Sequence, residues 1–228
     1  MSRIAVILTS YNRDSLLDGA IQSVLTQTFI DYTLYIMDDD SDNPKTHEVL
    51  DKYEHLDNVH IYRHKLDGVE RYSRCGYGEN INRALKLGTE EYITYLTCDD
   101  IFYHTRLARM IEFLDTNPDV FICYGKQMIS RLHPNGNITP MHIRNSPNIV
   151  QRATSIIDHN SVMHRRRCLV DPGSGVLRDN IWPVDPGHMD GGDGVVWCAF
   201  NLNWPFILIP GNEPTDEHRL HKQSIQSL

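Results

Sequence analysis

Three acidic clusters dominate the chemistry available to this chain: Asp38-Asp39-Asp40, Asp99-Asp100, and Asp190 with Asp193. The second ends an apolar run, Tyr92-Ile93-Thr94-Tyr95-Leu96, that reads as a buried strand, so two adjacent carboxylates fall at a strand's carboxyl end. Carboxylates there cost stability unless something positive sits against them. In an open α/β sheet that edge is also where ligands bind. A hard divalent cation carrying a diphosphate is the simplest guest, because carboxylate and phosphate oxygens suit Mg²⁺ or Mn²⁺. Such an ion would also neutralise the charge that develops on a departing diphosphate. Neither a GxGxxG fingerprint nor a GxxxxGK[ST] phosphate loop is present, so the phosphates would lean on the cation. Each acidic cluster also has a plainer reading. Asp is a favoured helix cap, and Asp38–Asp42, Asp99-Asp100 and Asp193 each precede a helical pattern. Tyr11 could stack on a base or simply be a surface tyrosine.

The elements that must position these residues are legible from apolar spacing. Ile4–Leu8 reads as a strand buried on both faces, and Leu16, Leu17, Ala20, Ile21, Val24 and Leu25 form a helical stripe behind Asp14 or Ser15. Thr33–Met37, Val59–Tyr62, residues 91–96 and Val120–Tyr124 read as further strands. Helices are expected from Pro44 to about Tyr53, from Asn80 to Leu87, and over about 104–116. Strand and helix therefore alternate through residues 1–125, the pattern of a mostly parallel sheet covered on both faces. The polar ends of the first, second and fourth strands, including Thr9-Ser10-Tyr11-Asn12, should share one edge. After 125 the rhythm changes. Residues 126–155 read as a hairpin or long loop around His133-Pro134-Asn135-Gly136-Asn137. A strand over 155–163, a glycine- and proline-rich loop, a helix from Val195 and a strand over 205–210 follow, and Glu213 to Leu228 reads as a polar, mobile tail. We divide the chain into an α/β half, 1–125, and a mixed half with the tail, 126–228, within one continuous domain.

Composition sets the bounds. The 228 residues suit one sizeable domain, and 40% apolar with 23% charged residues is ordinary for a globular protein. A net charge of −8 argues against nucleic acid or an anionic membrane as the main partner. No apolar run is long enough for a membrane span, and Met1-Ser2-Arg3 leads straight into a strand without a signal peptide. Five scattered cysteines without a CxxC pair fit a reduced, cytoplasmic setting.

As a set, Thr9-Ser10-Tyr11-Asn12, Ile36-Met37-Asp38-Asp39 with Ser41, Glu91–Tyr95, Cys98-Asp99-Asp100, Ile157-Asp158-His159 and Ser161–Arg165 resemble the inverting family 2 glycosyltransferases with the GT-A fold. Gln27-Thr28-Phe29 and Gln223-Ser224-Ile225 agree with the spore-coat polysaccharide members of that family. The resemblance implies an α/β GT-A fold, with a Rossmann-like nucleotide-binding half and a mixed acceptor half. It implies Mn²⁺- or Mg²⁺-dependent transfer of a sugar from a UDP- or dTDP-sugar to a hydroxyl acceptor, in polysaccharide or glycoconjugate synthesis. Tyr11 would stack on the base, Asp39 would accept a hydrogen bond from it with Arg71 beside it, and Thr9 would lie near the nucleoside. Asp99 would hold the metal. Cys98 stands where the family carries an aspartate facing the donor, and Asp100 either compensates or caps the next helix. Asp193 would be the catalytic base, with Asp190 second in line. Asp158 and His159 would line the acceptor side. His218 and His221 are tail candidates that could close over the diphosphate and reach the metal. Two competing classes are a nucleotidyltransferase, whose Arg/Lys-containing glycine-rich loop is missing, and a non-catalytic nucleotide-sugar-binding protein.

Overall fold

A computed structural model describes residues 2–68, 70, 73–171, 173–188 and 192–221. In chain order the elements are β1 (Ile4–Ser10), α1 (Ser15–Leu25), β2 (Tyr32–Asp39), α2 (Pro44–Asp51), β3 (Val59–His64), α3 (Gly76–Leu87), β4 (Tyr92–Thr97), β5 (Ile101–Phe102) and α4 (Arg106–Thr116). They continue as β6 (Ile122–Tyr124), β7 (Gln127–Leu132), β8 (Ile138–Ile143), β9 (Ile149–Val150), β10 (Val162–Arg165), α5 (Gly192–Asn201), β11 (Phe206–Leu208) and β12 (Asp216–Leu220). The main sheet has the order β3-β2-β1-β4-β10-β6-β11-β9. Its first four strands are parallel, and β4 lies on the opposite side of β1 from β2, which makes the β1/β4 gap the switch point of the sheet.

Alternation along the strands explains the layers. Ile4, Val6 and Leu8 join Leu34 and Ile36 in a core with Leu17 and Ile21 of α1, Leu50 of α2 and Leu107 of α4. Ala5 and Ile7 point the other way, to a core with Tyr35, Tyr95, Leu85 of α3 and Trp197 of α5. Successive strand residues face opposite sides of a sheet, so continuous apolar runs are what a doubly covered strand needs. Asp14 caps α1 by accepting from Ser15 N at 2.6 Å, and Asn43 caps α2 ahead of Pro44.

The second half departs from the expected order. β10 enters between β4 and β6 and runs antiparallel to both, so the sheet is mixed rather than mostly parallel beyond β4. The stretch expected as one strand over 155–163 instead holds a short 3₁₀ turn, His159–Ser161, before β10. The hairpin after 125 is present as β7–β8.

The tail also differs. Within residues 213–221, β12 is a paired strand, set between β5 and β7 in a second sheet of order β5-β12-β7-β8. The cause is a buried ion pair. Arg106 and Asp216 are fully buried, with Nη1 and Oδ1 2.9 Å apart. Asp216 also accepts from Gln127 Nε2 at 2.7 Å and Ser161 Oγ at 3.2 Å, while Arg106 Nη2 donates to Thr94 Oγ1 at 2.9 Å. The guanidinium stacks 4.1 Å from the Phe102 ring centroid. A buried pair broken on one side leaves an uncompensated charge. Asp216→Ala should therefore lower unfolding stability by about 3–5 kcal/mol in urea titrations followed by circular dichroism. A loss below about 1 kcal/mol would show that the pair does not anchor β12.

Candidate functional site

The three aspartates that end β2 have three fates. Asp38 is fully buried and closes a turn, accepting from Ser41 N at 3.0 Å and Ser41 Oγ at 2.5 Å. Asp40 adopts a left-handed backbone (φ 54°) and accepts from Leu66 N at 3.3 Å. Asp39 turns toward α3. Its Oδ1 is bonded by Arg74 Nη2 and by Asn80 Nδ2 at 3.2 Å, and Arg74 is held from its other side by Glu79 at 2.8 Å. The helix begins at Gly76, where a Cβ would collide with Asp39 Oδ2. No side chain caps α3, so the Asp39 carboxylate lies against the positive end of its dipole. Arg71, expected beside Asp39, lies outside the described residues, and Arg74 occupies that position.

The residues after β4 diverge in the same way. Cys98 lines the cleft, and burial pushes its thiol up to about 12, so it is a neutral thiol rather than a charged ligand. Asp99 Oδ2 meets His221 Nε2 at 3.0 Å. Burial opposes ionisation of Asp99, but the hydrogen bond and charge of His221 hold its carboxyl below the usual range. Asp100 neither faces the cleft nor caps a helix. β5 follows it, α4 starts only at Arg106, and all four of its bonds run inward. Its Oδ2 accepts from Thr97 Oγ1 (3.0 Å), Asn160 Nδ2 (2.6 Å) and His218 Nδ1 (2.8 Å), and its Oδ1 accepts from Arg219 N at 2.7 Å. The two tail histidines thus separate in role: His218 locks β12 onto Asp100, and His221, three residues on, reaches Asp99.

Thr9, Ser10, Tyr11, Arg13, Asp39, Tyr77, Asn80, Thr97, Cys98 and Asp99 together line a cleft of about 220 Å³ at the β1/β4 switch point. Of the expected donor-site residues, Thr9, Tyr11, Asp39, Cys98 and Asp99 are gathered here. Asp193 sits in the first turn of α5, accepting from Gly194 N at 2.8 Å, with its Oδ2 3.9 Å from His159 Nδ1. Asp193 therefore lies within the helix it was expected to precede, and Gly192 before it contacts the cleft through Tyr77. Tyr77, a cleft residue, accepts Gly192 N–H at 2.8 Å, and a Cβ on Gly192 would collide with that hydroxyl. Burial works against a charged His159, but Asp193 and Asp158 outweigh it and raise its pKa. Asp158 is largely buried and caps the turn, its Oδ1 accepting from Asn160 N at 2.9 Å. Asp190 lies outside the described residues.

The donor set at Asp99 can be compared with what a cation needs. An octahedral shell with ligands at about 2.1 Å places neighbouring donors about 3 Å apart. Asp99 Oδ2 and His221 Nε2 already have that separation, 3.0 Å. Among the described residues no three His, Cys, Asp or Glu side chains gather as a metal group. The pair therefore fits a cation whose remaining ligands are phosphate oxygens and water.

Arg13, Tyr77, Asn80 and Thr97, which line the cleft, and Arg74, which holds Asp39 beside it, are absent from the site residues expected from the sequence. Arg13 carries a signal, because it directly follows the Thr9–Asn12 cluster. Asn80 and Tyr77 carry one only once α3 is known to begin at Gly76, which puts the first turn of that helix at the cleft.

A family model described as "Glycosyl transferase family 2" matches residues 5–167. The chain is 33% identical over 217 residues to protein CgeD of Bacillus subtilis, covering 94% of this chain and 49% of that protein. It is 30% identical over 197 residues to the poly(ribitol-phosphate) beta-N-acetylglucosaminyltransferase TarP of Staphylococcus aureus, covering 81% of this chain and 57% of that protein. The crystal structure of S. aureus TarS 1-349 in complex with UDP superposes with a TM-score of 0.71 at 17% identity, covering 96% of this chain and 60% of that chain. That likeness establishes the expected GT-A α/β fold. The chain spans about half the length of the curated relatives it matches. No helix among the described residues is long and apolar enough to cross a membrane.

The clamp on β12 carries a pH signature. Burial works against a charged His218, but its bond to Asp100 overrides this and raises its pKa to about 9, above the unfolded value of 6.5. A raised folded-state pKa means that the proton's contribution to stability is complete below about pH 6.5 and is lost as the pH rises through about 9. Hydrogen exchange of residues 216–220 should accelerate between pH 6 and pH 9.5, after correction for intrinsic exchange. His218→Gln should abolish that extra acceleration, and an identical pH profile in the variant would show that another group governs the strand.

Proposed function

The chain belongs to glycosyl transferase family 2, and on that premise we propose that it transfers a sugar from a uridine or thymidine diphosphate donor to a hydroxyl acceptor, with inversion at the anomeric carbon. The observation that carries this reading is the gathering of Thr9, Tyr11, Asp39 and Asp99 in one cleft at the switch point. Tyr11, 38% exposed, offers a ring face to a base. Asp39, fixed by Arg74 and Asn80, offers a carboxylate to a base N–H, the group a uracil or thymine presents. The UDP complex of the TarS structure with the same fold supports a uridine diphosphate as the first nucleotide to test.

Asp99 and His221 would hold a divalent cation, Mn²⁺ or Mg²⁺. When bound, such an ion neutralises the charge that the diphosphate acquires as it leaves. Arg13 lines the same cleft and supplies a permanent positive charge for the phosphates. The neutral Cys98 thiol contributes shape more than hydrogen bonding to the ribose or sugar.

Asp193 is the base in this scheme. It removes the proton from the acceptor hydroxyl as that oxygen forms its bond to the anomeric carbon. The bond from that carbon to the diphosphate oxygen breaks on the opposite face, and its electron pair departs with the diphosphate. His159, 3.9 Å away, orients the carboxylate. The Tyr77–Gly192 bond ties the start of α5 to the donor cleft and so fixes where the base stands relative to the donor.

Calorimetric titration with UDP, with and without Mn²⁺, tests the donor side. Binding should require the metal, and Asp99→Ala or His221→Ala should each weaken the metal-dependent component. Metal-independent binding that survives Asp99→Ala would remove the cation from the scheme. For the base, Asp193→Asn should leave UDP affinity unchanged and lower kcat about 100- to 10,000-fold, measured by donor turnover. Turnover equal to that of the parent would sink the assignment.

A further inference from the structure

Although the chain carries a net charge of −8, none of its 30 acidic residues falls between positions 120 and 157, whereas Lys126, Arg131, Arg144 and Arg152 do, with His133 and His142. Residues 127–143 of that stretch fold into β7, β8 and the turn between them, with Lys126 and Arg144 flanking the hairpin, and β8 forms the free edge of the second sheet among the described residues. Some surface arginines outside this stretch pair with carboxylates, as Arg3 does with Asp115 and Arg63 with Asp51 and Glu54. Among the described residues, no side chain of Arg131, His142, Arg144 or Arg152 makes a hydrogen bond or ion pair, and Lys126 bonds only an amide oxygen, Asn212 Oδ1, at 3.1 Å.

This cationic hairpin is set along the site rather than away from it. Its tip, Leu132 to Pro134 with Gly136, forms one wall of a groove of about 580 Å³ whose other wall includes Arg13 and His221. Arg13 also lines the donor cleft, so groove and cleft adjoin at that residue. Asp14, a carboxylate on the groove wall, is engaged by Ser15 N at the cap of α1. At the other end of the hairpin, Arg144 N is bonded to Gln127 O, beside the β12 pairing, and the Arg144 charge reaches both Asp158 and His218. Cationic side chains therefore stand at both ends of the hairpin, with His133 on the groove wall and Arg131 and Arg144 free of ion pairs. Charge complementarity of this kind selects and steers partners of the opposite sign.

We propose that the acceptor is an anionic polyhydroxyl chain, bearing phosphate or carboxylate groups, that lies along the β7–β8 hairpin and presents its hydroxyl to the cleft from the groove beside Arg13 and His221. The proposal rests on the sugar-transfer reading above and names the class of its acceptor. The neutral part of such a chain has apolar surface to lie on as well, since Ile138, Met141 and Ile143 of β8 are exposed.

The test is binding of the full chain to fluorescently labelled poly(glycerol phosphate), polyuronate and neutral dextran, read by anisotropy over a range of salt, with UDP titrated into the same samples. One or both anionic polymers should bind, with affinity falling steeply as salt rises, and dextran should not. Which one binds separates phosphate from carboxylate. The double variant Arg131→Gln with Arg144→Gln should weaken polymer binding at least about tenfold and leave UDP affinity intact. The double variant Arg131→Lys with Arg144→Lys should retain most of it, which separates charge from folding. Equal binding of dextran, no binding of either anionic polymer by a protein that binds UDP, or insensitivity to the glutamine pair would overturn the proposal. So would binding to vesicles of anionic phospholipid in place of the soluble polymers, which would assign the hairpin to a membrane surface. Loss of UDP binding by the parent protein would instead count against the donor reading on which the proposal stands.

Discussion

Two carboxylates placed side by side at the end of a buried strand repel each other and are both poorly solvated, so they persist only if each finds its own positive partner. At the end of β4 that requirement is met by a single strand from the far end of the sequence. Asp100 receives His218 and the backbone of Arg219, and Asp99 receives His221. β12 has little apolar surface of its own, and is retained by these bonds and by the buried Arg106–Asp216 pair. The second sheet, the hairpin carried on β7 and the histidine that borders the cleft all depend on that match. The same contacts that make β12 part of the fold make it part of the site, because the register that puts His218 on Asp100 also decides where His221 falls.

At the end of β2 the same problem is solved differently. Asp38, pointing to the α1–α2 side, is satisfied inside a tight turn by Ser41. Asp39, pointing to the α3 side, is satisfied by the guanidinium of Arg74, the amide of Asn80 and the amino-terminal end of α3. Alternation along one strand is enough to split neighbouring aspartates into a structural residue and a cleft residue. It also keeps the Asp39 carboxylate bound but not enclosed, since it remains part of the cleft wall.

The first half of this architecture was readable because its strands are buried on both faces and therefore spelled in unbroken apolar runs. Ile4–Leu8 and Tyr92–Leu96 can hardly be anything else, and Asp14, Pro44 and Gly88 mark helix ends by well-understood backbone chemistry. β12 was not readable for the opposite reason. Asp216-Glu217-His218-Arg219-Leu220 has no apolar alternation, and polar residues in a terminal stretch look like solvent-exposed tail. Their burial follows from ion pairs with partners about a hundred residues away, and no local pattern carries such information. The antiparallel insertion of β10 is hidden for a similar reason, because a four-residue strand shows no preference for its neighbours. Asp39 and Asp99 could be picked out as site residues, whereas Arg74 could not be told from Arg71, since the choice depends on the path of the loop that precedes α3.

A division of charge follows from these constraints. The acidic residues of the site lie at strand ends of the main sheet, where each is balanced within the fold by an arginine, an imidazole or backbone donors. Arg131 and Arg144, at the two ends of the β7–β8 hairpin, make no such ion pair among the described residues, and their own stretch of sequence contains no carboxylate. The cleft thus offers carboxylates already engaged within the fold, and the hairpin beside it offers cationic side chains to an approaching chain. On the proposed scheme a nucleotide diphosphate would enter the first with a compensating cation, whereas an anionic chain would lie on the second without one. The two substrates of a transfer reaction would then be sorted by electrostatics before any specific contact forms, one requiring a metal partner and the other a row of fixed arginines.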